Sequence, residues 1–317
     1  MKIVFFGTGE FSRNILEGIL KDKSIDVGLV VSQPDKPIGR KKIITKTPVK
    51  ILAEENNIKI LQPEKLKNNT EFFKELEGFD FIVVVAYGKI VPNEVLDAPK
   101  YGCINIHGSI LPKYRGASPI QEAIKNGDLE TGLTIMYMSA GMDEGDILDI
   151  KKVNIDKLDK TIDIFKKFEE IGVNLLINTL NGILDGTVKG KKQDDKKASY
   201  CSKISKKDGE INFKKDSGID IYNKYKSYYS WPGIYTFYNN KKLNLEEVEL
   251  IDNEIASDIG EVIKTDLDAA GPYKKNIGIT TIDNKILILR QVKLEGKKSM
   301  DILSFINGNN DFLDYKF

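Results

Sequence analysis

A doubly wound α/β sheet followed by a small β-barrel or sandwich is the fold class that this 317-residue sequence predicts. Three observations carry that expectation. Residues 3–6 are an apolar run that breaks at Gly7-Thr8-Gly9 into a helical pattern with Phe11, Ile15, Ile19 and Leu20 on one side. Phe81–Val85 has no polar member, as in a strand buried on both faces at the centre of a sheet. From Glu210 onward the texture changes to short alternating strands with Asn239-Asn240 and Asp283-Asn284 turns and no helical alternation.

Between these landmarks the alternation continues. Residues 27–31 form a second strand, 49–57 a helix, 58–61 a strand, 70–76 a helix and 79–86 the central strand. Ser118 and Pro119 start a helix carrying Ile120, Ala123 and Ile124. Strands follow at 133–138 and from Ile147, then a helix over 159–180 that closes a first domain, 1–188. Residues 189–208 hold eight lysines and three aspartates and read as a basic linker to a second domain, 209–317. There Tyr222, Tyr225, Tyr228, Tyr229 and Trp231-Pro232-Gly233 lead into strands at 234–238, 243–250, 277–282 and 286–289.

Composition narrows the function. With 48 Lys+Arg against 47 Asp+Glu the chain is close to neutral, so a basic surface must be local. Cys103 and Cys201 lie far apart in no metal-ligand spacing, which suits a reducing cytoplasm and offers no disulfide framework. No segment approaches the roughly 18 uninterrupted apolar residues of a membrane span. Residues 33–50 supply the local charge: Lys36, Arg40, Lys41, Lys42, Lys46 and Lys50 face one acid, Asp35, in a proline-rich loop. Six such cations suit a phosphate backbone, and Ile43 and Ile44 among them suit a docking surface.

The only histidine, His107, stands two residues after Asn105 in the apolar run Cys103-Ile104-Asn105-Ile106-His107. Strand alternation puts the amide and imidazole on one face and Ile104 and Ile106 on the other. A lone histidine on an apolar strand is ordinarily a satisfied core residue. Here Gly108, Pro112 and Gly116 punctuate a loop just beyond it, the place where open α/β sheets bind ligands. Gly88 lets backbone approach a flat ligand at the end of the neighbouring central strand. Gly7-x-Gly9 matches two positions of a dinucleotide fingerprint, but Ser12 takes the third, and Ser32-Gln33 replaces the acid expected after the second strand. An NAD-dependent dehydrogenase is therefore disfavoured. A non-catalytic RNA-binding module would explain the lysines but not the polar pair on an apolar strand.

With these residues in view, the sequence resembles the folate-dependent formyltransferase family. Asn105-x-His107, Ser109-Ile110-Leu111-Pro112, Tyr114-Arg115-Gly116 and Asp143 in the loop Gly141-Met142-Asp143-Glu144-Gly145-Asp146 match its catalytic pattern. Taken alone, Asp143 would read as a solvated turn residue. The loop at 33–50, Ser230-Trp231-Pro232-Gly233, and the ending at 294–300 and 305–308 resemble the family's tRNA-directed branch. Ile110 stands where the family has leucine and Glu122 where many members have an aromatic residue, and 309–317 fit loosely.

The resemblance implies a Rossmann-like formyltransferase fold followed by an OB-like barrel. It implies 10-formyltetrahydrofolate as formyl donor, with no metal, and the methionine of initiator Met-tRNA as acceptor. Asn105, His107 and Asp143 would be catalytic: two donors for the tetrahedral oxyanion, and a carboxylate that favours cationic imidazole and relays protons. Ala86, Tyr87, Gly88, Ile90, Ser109, Ile110, Leu111, Pro112, Gly141 and Met142 would line the folate site. Arg40, Lys41, Lys42, Lys46, Lys206 and Lys207 would hold tRNA. A cytoplasmic monomer is expected. The same triad with a sugar-nucleotide amine as acceptor is the alternative, against which the basic loop and the C-terminal ending stand.

Overall fold

The computed structural model describes residues 1–39, 41–252, 257–266 and 276–317, with the backbone alone of Ile38. Its early strands are β1 (Lys2–Gly7), β2 (Asp26–Val31), β3 (Lys36–Ile38), β4 (Ile43–Thr45), β5 (Ile60–Leu61) and β6 (Phe81–Val85). Then come β7 (Cys103–His107), β8 (Arg115–Gly116), β9 (Glu130–Tyr137), β10 (Ile147–Asn154) and β11 (Tyr200–Cys201). The helices among them are α1 (Glu10–Ile19), α2 (Pro48–Glu55), α3 (Thr70–Lys74), α4 (Asn93–Leu96), α5 (Pro119–Lys125) and α6 (Thr161–Leu184). The chain divides into two compact units, one of 1–119, 130–154 and 164–202 and one of 120–129, 155–163 and 203–317. The lysine-rich stretch 189–208 thus folds with the first unit as far as Ser202.

The first unit is built on a seven-stranded sheet ordered β10-β9-β7-β6-β1-β2-β5. The chain moves outward from β1 through β2 to β5, returns to β1's other side as β6, and continues outward through β7. The order reverses between β1 and β6, and there an open sheet of this kind leaves a crevice at its carboxyl ends. Ile3, Val4, Phe5 and Phe6 are fully buried and Phe81–Val85 nearly so, as strands covered on both faces must be. Ser12 lies at the third-glycine position and is also fully buried, its hydroxyl donating to the Val85 carbonyl at 2.6 Å. A Cβ on Gly7 would stand 2.7 Å from the Ser12 Cβ. The glycine turn therefore serves close strand-to-helix packing.

The sheet is not parallel throughout. β9 runs antiparallel to β7, pairing Ile104 with Tyr137 and His107 with Thr134, and β10 runs antiparallel to β9. β9 consequently ends beside the start of β7, and the loop after it leaves the sheet at the end opposite His107.

The expected loop at 33–50 is instead a hairpin of β3 and β4 followed by the first residues of α2. A three-residue ladder is too short, and too interrupted by proline, for period-2 alternation to reveal it. Thr47 caps α2 by accepting the Lys50 amide, and Asn57, at φ 55°, closes its end. At the base of the hairpin the Lys50 ammonium donates to Asp35 and to Gln62, both at 2.7 Å, and the Gln62 amide donates to Asp35 at 2.7 Å. These hydrogen bonds, Gln62 first and Lys50 second, hold the Asp35 carboxyl below its ordinary value of 3.8. A carboxyl depressed on folding lends stability above its unfolded value and loses it as the pH falls through the folded one. Urea midpoints of wild type and Asp35→Asn are expected to differ near neutrality and to converge as the pH drops below 3.8. A gap independent of pH would remove the ion pair from the hairpin's support.

The second unit contains α7 (Gly218–Ser227), β12 (Ile234–Tyr238), β13 (Lys241–Asp252), β14 (Val262–Thr265), β15 (Asn276–Thr280), β16 (Lys285–Leu294), β17 (Met300–Asp301) and α8 (Ile302–Asn307). Its strands form an antiparallel sheet ordered β12-β13-β16-β15-β14, with β17 on β16. The Asn239-Asn240 turn has both residues at positive φ, 47° and 59°, as a tight hairpin between β12 and β13 requires. Leu243, Leu245, Ile279, Leu287, Leu289 and Val292 join Phe305 and Phe312 in one apolar core that the sheet wraps.

Candidate active site

Asn105 and His107 lie on β7, beside β6 and one strand removed from the switch point. Ile104 and Ile106, buried on the opposite face, anchor the strand, while Asn105 is half-buried. The Asn105 amide donates one hydrogen to the Val84 carbonyl at 3.1 Å, leaving its second N–H for another acceptor. His107 is 6% exposed, and its Nε2 lies 2.9 Å from the Tyr114 carbonyl. A carbonyl only accepts, so Nε2 carries a proton, and in the neutral ring Nδ1 is the bare nitrogen. Nδ1 is the atom that faces Asp143, 3.7 Å from its Oδ2.

Asp143 reaches this position because the loop between β9 and β10 folds back along β7. Its Oδ2 accepts the Gly116 amide at 2.7 Å, while its own backbone sits at φ 53°. Asparagines apart, the described non-glycine residues at positive φ are Lys42, Ala86, Tyr114 and Asp143. The last three are the residue just after the central strand, the acceptor of His107 and the residue that carries the carboxylate. Such conformations cost about 1–3 kcal/mol each and persist where surrounding contacts enforce them.

The enforcing contacts come largely from the stretch expected to be a linker. Tyr200 and Cys201 in β11 pair in parallel with Arg115 and Gly116 in β8, and Tyr114 donates its amide to the Ser199 hydroxyl at 2.9 Å. Arg115 is 1% exposed and donates to Gln193, Asp195 and Tyr200. Burial alone would push its guanidinium down, but the Asp195 carboxylate and Tyr200 hydroxyl outweigh that and the net shift is upward. Arg115 was legible only as part of a motif, and Gln193 not at all. A glutamine among lysines carries no periodicity or spacing to mark it.

Of the residues expected at a folate, Ala86, Tyr87 and Gly88 follow β6 directly. The Tyr87 carbonyl accepts from Thr8 Oγ1 at 2.9 Å and Gln33 Nε2 at 2.8 Å, and its ring is buried against Phe6. Ser109 and Leu111 are buried, and Thr134 ties their backbone by donating to the Ser109 carbonyl and accepting the Leu111 amide. Ile110 and Pro112 are the loop's partly exposed members. Ile90 and Met142 are strongly exposed, at 91% and 64%, and Gly141 adjoins Met142 in the Asp143 loop. The hairpin holds Lys41 and Lys42 in solvent with Ile43 and Ile44, whereas Lys46 pairs with Glu54 at 2.7 Å. Arg40 lies outside the described residues. Lys206 and Lys207 are exposed in a short turn of the second unit. Among the described residues no cluster of His, Cys, Asp and Glu is arranged to hold a metal.

Residues 1–180 match the formyl transferase family, and residues 203–310 match the formyl transferase C-terminal domain. The chain belongs to the formyltransferase family. Among this formyltransferase's relatives, the methionyl-tRNA formyltransferase of Caldicellulosiruptor saccharolyticus is 41% identical over 310 residues, 97% of each chain. That of Sulfurimonas denitrificans is 40% identical over 313 residues, again 97% of each. In three dimensions the formyltransferase is similar to an N-formyltransferase from Helicobacter canadensis, solved with folinic acid and dTDP-3-aminofucose. Their TM-score is 0.64 at 22% identity, covering 91% of this chain and 98% of that one, a likeness of fold.

Proposed function

We propose that the protein transfers the formyl group of 10-formyltetrahydrofolate to the α-amino group of methionine on initiator Met-tRNA, giving N-formylmethionyl-tRNA for translation initiation. The observation that carries the chemistry is the Nδ1 edge of His107 facing the Asp143 carboxylate at 3.7 Å, with Asn105 two residues earlier on the same strand face. The identity to methionyl-tRNA formyltransferases over nearly the whole chain favours this acceptor over a sugar-nucleotide amine.

The amine attacks the formyl carbon, forming a C–N bond and turning the carbonyl into an oxyanion. Asn105 donates its free N–H to that oxygen, and His107, once Nδ1 is protonated, adds a charge-assisted donor. Asp143 stabilises the imidazolium and takes a proton from the attacking nitrogen, directly or through water. Collapse of the intermediate breaks the bond to folate N10, which receives a proton as it leaves, so one N–H is consumed and one formed. The backbone at Ala86-Tyr87-Gly88 and the exposed apolar side chains of Ile90 and Met142 offer surfaces to the flat pterin.

Formyl transfer is carried out by the N-terminal domain, the expected 1–188 together with the strap that folds with it as far as Ser202. Initiator tRNA is held by Arg40, by Lys41, Lys42 and Lys46 of the hairpin region, by Lys206 and Lys207, and by the C-terminal barrel, 209–317. The enzyme works as a monomer in the cytoplasm, where Cys103 and Cys201 stay as buried free thiols.

An assay with Met-tRNA and 10-formyltetrahydrofolate should yield N-formylmethionyl-tRNA. Formylation of a sugar-nucleotide amine but not of Met-tRNA would reassign the acceptor. Phosphate contacts release counterions, so tRNA affinity should fall at least about tenfold between roughly 50 and 200 mM salt in filter binding. A salt-insensitive complex would count against the lysine contacts.

A further inference from the structure

The Gln193 carboxamide is saturated with hydrogen bonds. Its Nε2 donates to the Asp143 carbonyl and to the Gly145 carbonyl, each at 2.8 Å. Its Oε1 accepts from Arg115 Nε at 3.0 Å and Nη2 at 2.9 Å. These partners settle which end of the amide is nitrogen, because two carbonyls cannot donate and a guanidinium cannot accept. One side chain therefore ties the Asp143 loop to Arg115. The next residue, Gly116, closes the ring by donating its N–H to the Asp143 carboxylate at 2.7 Å.

Asp143 needs such support. Its loop leaves the sheet at the far end of β7 and folds back, and its backbone lies in the left-handed region. Nothing local to Gly141-Met142-Asp143-Glu144-Gly145 would keep the carboxylate at the histidine. We propose that Gln193 is a positioning residue for formyl transfer: its carboxamide, seated on Arg115, holds Asp143 against His107. The assignment rests on the reading of Asn105, His107 and Asp143 as the transfer site.

A purely structural role for Gln193 would be to satisfy the buried Arg115. Glutamate has the same shape and would do that at least as well, since a carboxylate accepts a bidentate guanidinium. Positioning needs the two N–H donors, which glutamate lacks. Gln193→Glu is thus expected to lower kcat by roughly 10- to 100-fold, the scale of an ångström-level misplacement, with KM for both substrates within about twofold. Gln193→Met, uncharged and of similar length, should lose as much, and either folded variant suffices. In an Asp143→Asn background the Gln193 change should alter the rate by less than about twofold, because residues that act as a unit are not additive. Wild-type kcat in Gln193→Glu would overturn the proposal, as would an equal loss in both backgrounds. An Asp143→Asn enzyme at wild-type rate would take down the site assignment and this role with it.

Discussion

Replacing His107 by alanine is expected to lower kcat/KM for formyl transfer by roughly 10²- to 10⁴-fold, the range for loss of an oxyanion donor or an acid–base group. The ring is buried, hydrogen-bonded at Nε2 to the Tyr114 carbonyl at 2.9 Å, and turns Nδ1 toward the Asp143 carboxylate at 3.7 Å, so alanine leaves no donor in its place. The same change removes the imidazole donor from the Tyr114 carbonyl, which keeps the Cys201 thiol at 3.6 Å, at a cost of about 0.5–1.5 kcal/mol. Thermal unfolding run beside the assay separates the two effects. A folded variant within about tenfold of wild type would mean that the imidazole serves the loop rather than the reaction.

Gly116→Ala is expected to be the most damaging small substitution at the site. Gly116 has φ 120°, and a Cβ there would lie 2.1 Å from the Cys201 carbonyl oxygen. That oxygen is backbone, fixed by the pairing of β8 with β11 and accepting the Ala117 amide at 3.2 Å, so it cannot swing aside. Conformational strain of about 1–3 kcal/mol adds to a similar cost for overpacking. A fall in the thermal midpoint of roughly 5–15 °C follows if both are borne in full. Activity should fall further than stability alone explains, because the Gly116 N–H is a donor to Asp143. Gly308→Ala, whose Cβ would make only an ordinary 3.8 Å contact, is the control and should be near neutral. If the two variants unfold alike, the close approach of β8 and β11 is not a constraint on the fold.

The central strands and the Asn105–His107 motif are legible because their signals are local. Apolar runs such as Phe81–Val85 mark buried strands, since backbone geometry turns solvent exclusion into a pattern that a few residues display. The Asn105–His107 pair could be placed on one strand face by alternation alone. The change of texture after Glu210 marks the passage from the mostly parallel sheet to the antiparallel one in the same way. The 33–50 stretch reads as a loop, although a short hairpin lies within it, because its strands are too brief to show a period. Its cations were visible as a count, but the Lys50–Asp35 and Lys46–Glu54 pairs were not. Charge composition does not say which ions meet.

Other features depend on which distant segments touch. That β9 runs against β7, so that Asp143 must fold back to reach His107, follows from strand pairing that no local period encodes. That 189–202 straps the Arg115–Gly116 strand, and that Gln193 joins Arg115 to the Asp143 loop, depends on hydrogen bonds across 48 to 85 positions of chain. A hydrophobic pattern records which side of an element must avoid water. It carries no address for a hydrogen-bond partner, and so the amino-acid order declares the sheet, the motif and the strand that carries Asn105 and His107, while only the closed chain decides what holds the carboxylate in place.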